Sequence, residues 1–126
     1  MKFVLDASAL LALLNAEPGA EFVAERLDQS EVSVVNLTEI GTRLIDAGAT
    51  LADYRRAISL LDLVEVPFDR ELADLAAEIR GSTRAAGLSL GDCACLALAI
   101  RSGATALTAD RAWLSIKAGC VVEMIR

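Results

Sequence analysis

Short apolar segments alternate with longer amphipathic segments along the whole chain. The apolar segments have the length of buried strands and lie at 2–5, 31–35, 63–67, 104–108 and 120–124. The segments between them carry apolar residues at helical spacing, at 7–15, 20–29, 36–47, 51–61, 70–86, 89–101 and 110–113. This alternation predicts an α/β fold with a parallel sheet covered by helices on both faces.

The helix predicted over 89–101 is apolar on nearly all sides, because Ala, Leu, Cys and Ile fill most of its positions. A helix of this kind is usually buried on several sides, so we expect it at the centre of the molecule. The chain has 126 residues, of which 55% are hydrophobic, and it shows no linker or internal repeat. We therefore expect a single domain over 1–126 with one core.

No apolar run approaches the length of about 18 residues that would cross a bilayer. Met1 and Lys2 precede only a short apolar run before Asp6, which is too short for a secretory signal. We expect a cytoplasmic protein without membrane contact. The odd number of cysteines and the absence of histidine disfavour a disulfide framework and a typical zinc site, so the cysteines are predicted to pack as small apolar residues: Cys93, Cys95 and Cys120.

The charge of the chain limits its possible partners. There are 18 Asp and Glu against 12 Lys and Arg, a formal net charge of -6. This excess of acids argues against nucleic-acid binding through a broad basic surface, so a nucleic-acid substrate would need a local basic patch. Without histidine, catalysis would have to rely on other groups.

Four acids are predicted to lie at the carboxyl edge of the sheet. Asp6 follows the first strand and Asp110 follows the fourth, whereas Glu39 and Asp92 lie in the first turns of helices that enter from the same edge. Converging carboxylates repel one another unless a cation neutralises them. Oxygen ligands without histidine favour Mg²⁺ or Mn²⁺, which could polarise a phosphate and acidify a water.

Helix capping is the alternative explanation for each acid. Asp is common at helix N-termini, and both Asn36 to Glu39 and Ser89 to Asp92 have the spacing of a capping box. Taken singly, each acid favours capping, but capping alone does not require four acids at one edge.

Several polar side chains near these acids could contact a carboxylate, a metal-bound water or a phosphate: Ser8, Asn36, Arg43, Arg84 and Thr108, with Arg80 spaced to share the helix face of Arg84. Each has a simpler alternative. The hydroxyls could satisfy backbone groups at helix starts and Asn36 could be an N-cap. Arg43 could pair with Glu39 one turn away, and the other arginines could be solvated.

Four segments follow one another along the chain: FVLDASALLALL, VVNLTEI, GLSLGDCACLALA and TALTAD. In their order and spacing they resemble the PIN-domain superfamily, specifically the VapC-like ribonuclease toxins of type II toxin-antitoxin pairs, and the likeness spans essentially the whole chain. The resemblance places Asp6, Glu39, Asp92 and Asp110 on the family's acidic quartet. It implies a three-layer α/β/α PIN domain whose parallel five-stranded sheet has the order 3-2-1-4-5.

The resemblance also implies a function. It indicates an endoribonuclease dependent on Mg²⁺ or Mn²⁺, which hydrolyses RNA phosphodiesters with a metal-activated water and leaves a 5′-phosphate. Asp6 and Asp92 would be direct metal ligands, Asp110 would bind directly or through water, and Glu39 would orient the water or bind a second ion. The family implies a homodimer, and a VapB-like antitoxin whose basic side chain suits an acidic toxin.

Two other hypotheses remain. Phosphatases of the haloacid dehalogenase type also begin with an aspartate after the first strand, but Ser8 stands where their second aspartate belongs, and a convincing catalytic lysine is absent. The chain could instead be a catalytically silent PIN-fold module with a regulatory or protein-binding role, in which the acids persist for capping. Metal-stimulated RNA cleavage would distinguish this module from the nuclease.

Overall fold

The computed structural model describes residues 1–126, and its strands follow the predicted apolar segments. The strands are β1 (Phe3–Leu5), β2 (Ser30–Ser33), β3 (Val64–Val66), β4 (Thr105–Thr108) and β5 (Val122–Met124). The α-helices are α1 (Ala7–Leu14), α2 (Ala20–Ala24), α3 (Val34–Asp46), α4 (Leu51–Leu61), α5 (Arg70–Thr83) and α6 (Leu90–Ser102). Short 3₁₀ helices cover Leu27–Gln29, Arg84–Ala86 and Arg111–Ser115.

The five strands form one parallel sheet in the order β3-β2-β1-β4-β5. This confirms the predicted fold and sheet order. Strands β1 and β4 are neighbours, with Leu5 level with Leu107, and the Asp6 amide donates to the Leu107 carbonyl at 3.1 Å. The residues that follow these two strands, Asp6 after β1 and Ala109 after β4, therefore emerge side by side at the carboxyl edge.

The core lies on both faces of the sheet. Successive residues of β1 point to opposite faces, so that Val4 packs with α5 and α6, whereas Phe3 and Leu5 pack with α1 and α3. Helix α6 is buried along most of its length, which confirms its predicted central place. No helix combines the length and the apolar character needed to cross a membrane.

Two predicted helices are shorter than expected. The segment 20–29 is helical only to Ala24, because the Arg26 guanidinium donates to the Phe22 carbonyl at 2.9 Å and the chain then turns into a 3₁₀ helix. The segment 70–86 changes to a 3₁₀ turn after Thr83. It ends at Gly87, whose φ of +72° suits glycine.

The boundary between β2 and α3 differs from the prediction. Val34 and Val35 are β-branched and were assigned to the strand, but Ser33 is the N-cap and its hydroxyl accepts from the Val35 amide at 3.2 Å. A capping hydroxyl outweighs the modest helix propensity of valine. Asn36 is therefore not an N-cap, the predicted capping box from Asn36 to Glu39 is wrong, and Glu39 lies in the second turn of α3 rather than the first.

Candidate active site

Asp6 is buried at the edge of the sheet, with only 3% of its surface exposed. It is the N-cap of α1, and its Oδ1 accepts from the Ala9 amide at 2.8 Å and from the Ser8 hydroxyl at 2.7 Å. Its Oδ2 accepts from the Thr108 hydroxyl at 2.5 Å. Ser8 and Thr108 thus contact an acid of the predicted quartet, and Asp6 caps a helix as well.

Backbone amides orient these two hydroxyls. The Ala109 amide donates to Ser8 Oγ at 2.8 Å, and the Asp110 amide donates to Thr108 Oγ1 at 3.0 Å. Because each hydroxyl accepts from an amide, its own proton is free for Asp6. The network links the β1–α1 turn to the end of β4, and it suits an ionised Asp6 carboxylate.

Burial opposes that ionised form. Desolvation raises the pKa of Asp6 to about 6, against the lowering effect of hydrogen bonds from Thr108, Ala9 and Ser8, and the negative charge of Asp92 raises the pKa further. No lysine or arginine forms an ion pair with Asp6. A cation at this edge would therefore stabilise the charged form of Asp6.

Asp92 lies in the first turn of α6 and forms the predicted capping box with Ser89. Its Oδ2 accepts from the Ser89 amide at 2.9 Å, and the Asp92 amide donates to the Ser89 hydroxyl at 3.2 Å. This cap uses Oδ2 alone, which leaves Oδ1 for another partner. Burial is the main cause that raises the pKa of Asp92; hydrogen bonds to Ser89 lower it and the charge of Asp110 raises it.

Asp110 is exposed and follows β4 after one residue, Ala109. It is the N-cap of the 3₁₀ helix Arg111–Ser115, and its Oδ1 accepts from the Ala112 amide at 3.0 Å. As with Asp92, the cap engages one carboxylate oxygen.

Glu39 reaches the same region from α3. The Asn36 side-chain amide donates to Glu39 Oε1 at 2.8 Å and to the Gly91 carbonyl at 3.1 Å, which ties Glu39 to the first turn of α6. Asn36 is fully buried, and its Oδ1 has no hydrogen-bond partner. An unsatisfied buried acceptor costs about 1–3 kcal/mol. The orientation that lets the Asn36 amide nitrogen make these two bonds therefore lowers the stability of the fold.

Three of the four acids, Asp6, Asp92 and Glu39, act electrostatically on one buried thiol, that of Cys95. Cys95 is fully buried, and desolvation, followed by the charges of Asp6, Cys120, Asp92 and Glu39, raises the pKa of its thiol. In this structure, however, no group of three or more His, Cys, Asp or Glu side chains is arranged so that it could hold a metal ion. Mg²⁺ commonly binds one or two carboxylates and completes its shell with water and substrate phosphate, which suits acids that have no ion pair.

A family model for the PIN domain matches residues 3–118. The chain belongs to the PIN-domain family. No curated protein sequence matches it closely enough to be counted as a relative. The haloacid dehalogenase hypothesis is set aside, because the matched PIN model spans nearly the whole chain.

Several solved structures share this PIN fold. A toxin-antitoxin complex from Klebsiella pneumoniae has a chain with a TM-score of 0.77 at 16% identity, covering 99% of this chain and 98% of that one. VapBC2 from Rickettsia felis, bound to a DNA fragment from its promoter, gives 0.76 at 15% identity and covers 98% of both chains. VapBC-5 from Mycobacterium tuberculosis gives 0.62 at 25% identity, covering 99% of this chain and 98% of that one.

The predicted basic residues of the PIN domain have different surroundings. Arg43 forms no ion pair with Glu39, so the predicted alternative of an i,i+4 pair is not seen. It lines a cavity of about 270 Å³, together with Ser8, Glu17 and Arg126 among others. Arg84 is exposed without an ion pair, whereas Arg80 donates to the Leu88 carbonyl.

The cysteines are free thiols. Cys93 and Cys95 are buried in the core beside α5, as the packing hypothesis predicts, and Cys120 is partly buried.

Gly91 was missed as a residue of the site. The Glu39 carboxylate occupies the space of a side chain at Gly91, where a Cβ would clash with Oε1 and would meet Cδ at 2.5 Å and Oε2 at 2.7 Å. The signal available in the sequence was a glycine in the first turn of an otherwise apolar helix. Glycine lowers helix stability, so its presence there indicates that another group approaches the backbone closely.

Proposed function

We propose that this PIN domain is a metal-dependent endoribonuclease and the toxin of a VapBC-type pair. The observation that carries the proposal is the environment of Asp6. Asp6 is a buried carboxylate without a cationic partner, Ser8 and Thr108 donate to it, and the negative charge of Asp92 acts on it. A buried charge needs a compensating partner, and a hard divalent ion would supply it.

The four acids would have different roles in binding the ion. Asp6 and Asp92 would be the direct ligands of Mg²⁺ or Mn²⁺, Asp110 would bind directly or through water, and Glu39 would orient the attacking water or hold a second ion. When bound, such an ion neutralises phosphate charge and lowers the pKa of a water molecule. Ser8 and Thr108 would hold Asp6 in its ionised form by donating to both of its oxygens.

The cavity lined by Ser8 and Arg43 supports an RNA substrate. Arg43 forms no ion pair, although Glu17 lines the same cavity, so a phosphate of the bound strand could pair with Arg43. In a chain with a net charge of -6, such local cations would have to supply the attraction for RNA. Arg84 would contribute a second phosphate contact from the end of α5.

The similar structures support a protein partner. The chains from Klebsiella pneumoniae and Mycobacterium tuberculosis come from toxin-antitoxin systems, and we propose a VapB-like antitoxin for this chain. A basic side chain of the antitoxin would complement the acidic edge. A homodimer is supported by Ile45 and Leu51, apolar side chains that are exposed around one shallow cavity. We also propose that the protein acts in the cytoplasm.

A specific observation favours the silent module as the second candidate. Asp6, Asp92 and Asp110 each cap a helix, so each has a structural role that would preserve it without catalysis.

Cleavage of labelled RNA by the purified chain, freed of any copurified partner, tests the proposal. We expect cleavage with Mg²⁺ or Mn²⁺, none with chelator, and products with a 5′-phosphate and a 3′-hydroxyl. Cleavage in chelator, or products with a 2′,3′-cyclic phosphate, would contradict attack by water at a metal site. No cleavage of varied RNAs would favour the silent module.

A further inference from the structure

We propose that Asn36 and Gly91 are positioning residues that together form a seat for the Glu39 carboxylate. The seat lies between α3 and the first turn of α6. Its importance for catalysis rests on the proposed function, in which Glu39 orients the water or holds a second ion, but the seat itself is a property of these three residues.

Asn36 forms one wall of the seat. Its amide nitrogen lies between two acceptors, Glu39 Oε1 at 2.8 Å and the Gly91 carbonyl at 3.1 Å. Because both partners can only accept, the amide must present its nitrogen to them and not its oxygen. This requirement fixes the orientation of Asn36, and it leaves Oδ1 buried without a partner.

Gly91 forms the other wall. A Cβ at this position would meet Glu39 Oε1, the oxygen that accepts from Asn36, most closely, and would lie 2.5 Å from Cδ and 2.7 Å from Oε2. The absence of a side chain therefore lets the Glu39 carboxylate lie directly against the helix. The clash would involve the end of a flexible side chain, so an alanine here would displace the carboxylate rather than disrupt the fold.

Both features are unfavourable for stability in isolation. A glycine inside a helix is less favourable than alanine, and a buried amide with an unpaired oxygen is less favourable than an apolar residue. Both converge on one carboxylate, and this shared target distinguishes the seat from ordinary packing.

Gly81 provides a matched control for Gly91. It also lies inside a helix, α5, but a Cβ there would meet nothing within 4 Å. We expect Gly81→Ala to raise the thermal unfolding midpoint and to leave the cleavage rate unchanged. Gly91→Ala should remain folded and lose kcat by roughly ten- to a hundredfold, with KM for RNA unchanged, because a small misplacement of a catalytic group has an effect of that size.

A double-mutant cycle with Glu39→Ala tests the seat without any activity measurement. In the Glu39→Ala background the obstructing carboxylate is gone, so Gly91→Ala should raise the unfolding midpoint, as Gly81→Ala does. With Glu39 present it should raise the midpoint less, or lower it. Gly81→Ala should shift the midpoint equally in both backgrounds.

Asn36→Asp supplies the second variant. It keeps the shape of the side chain but replaces the donor with a third acceptor beside Glu39 and Gly91. We expect its midpoint, measured above pH 7, to fall by less in the Glu39→Ala background than in the wild type.

The outcomes separate the two proposals. If Gly91→Ala and Asn36→Asp shift the midpoint equally with and without Glu39, the seat is overturned whatever the activity. If the cycles show coupling and kcat falls in Gly91→Ala, the seat positions a catalytic group. If the cycles show coupling but the wild-type chain cleaves no RNA, the catalytic role and the proposed function are overturned, while the seat itself stands.

Discussion

At the scale of single residues, Asp6 combines burial with negative charge. Its helix cap and two hydroxyl partners favour the ionised carboxylate, yet desolvation raises its pKa to about 6. Sequence reasoning could place Asp6 at the end of a strand with Ser8 two residues later, but the contact between Asp6 and Thr108 is visible only in the structure. The degree of burial was not predictable, because it depends on how closely α1 and β4 cover the carboxylate.

Replacing Asp6 with asparagine should make the metal-free protein more stable at high pH. The folded pKa of about 6 exceeds the ordinary value of 3.8, so the native state binds more protons between these values and loses stability as pH rises through 6. In chelator at pH 8, Asp6→Asn should raise the free energy of unfolding by roughly 1–3 kcal/mol. Urea denaturation at pH 8 and at pH 4 measures this, and the gain should vanish at pH 4. A variant less stable than the wild type at pH 8 would contradict the assignment.

At the scale of elements, capping residues decided where prediction succeeded. The capping box of Ser89 and Asp92 was predictable because its local sequence has no competing cap nearby. The box predicted at Asn36 was wrong because Ser33 caps the helix one turn earlier. The contact between Glu39 and Gly91 joins α3 and α6, which are far apart in sequence. Local sequence does not show that residues so far apart along the chain meet.

Two capping boxes of the same type allow the structural role of a cap to be measured. Thr50 and Asp53 form one at the start of α4, and Ser89 and Asp92 form the other at the start of α6. We expect Thr50→Ala and Ser89→Ala each to lower the free energy of unfolding by about 1 kcal/mol, since each removes one side-chain acceptor from a helix N-terminus. Thermal or urea unfolding would check this. No loss of stability in Ser89→Ala would show that the α6 box has little structural value.

At the scale of the whole molecule, the sheet order decides which acids meet. Strand β1 lies between β2 and β4, so the residues after β1 and β4 are neighbours, and α3 enters directly from β2. The alternation of apolar and amphipathic segments predicts the parallel sheet, but the strand order came from the resemblance to the PIN family. Periodicity describes each element separately and does not specify which strands pair.

Divalent metal should stabilise the folded chain, because a ligand that binds only the native state raises the free energy of unfolding. At a hundredfold excess over its Kd, Mn²⁺ would add about 2.7 kcal/mol. Thermal unfolding with and without Mn²⁺ at pH 8 measures the effect. It should shrink at pH 5, where protons compete for Asp6, and should be largely lost in Asp6→Asn. An equal shift in wild type and variant would place the ion elsewhere.

The most direct test of a metal-dependent ribonuclease site compares the rates of RNA cleavage in saturating Mn²⁺ for wild type, Asp92→Asn and Asp53→Asn. Asp92 and Asp53 occupy the same position of equivalent capping boxes, and only Asp92 lies at the acidic edge. We expect Asp53→Asn to cleave like the wild type. The cleavage rate of Asp92→Asn should fall by at least about a hundredfold. Removing a residue that only hydrogen-bonds a metal ligand already lowers activity by roughly 10- to 100-fold, and Asp92 would be a ligand itself. Equal rates in the two variants would show that Asp92 is a helix cap and not part of a catalytic site.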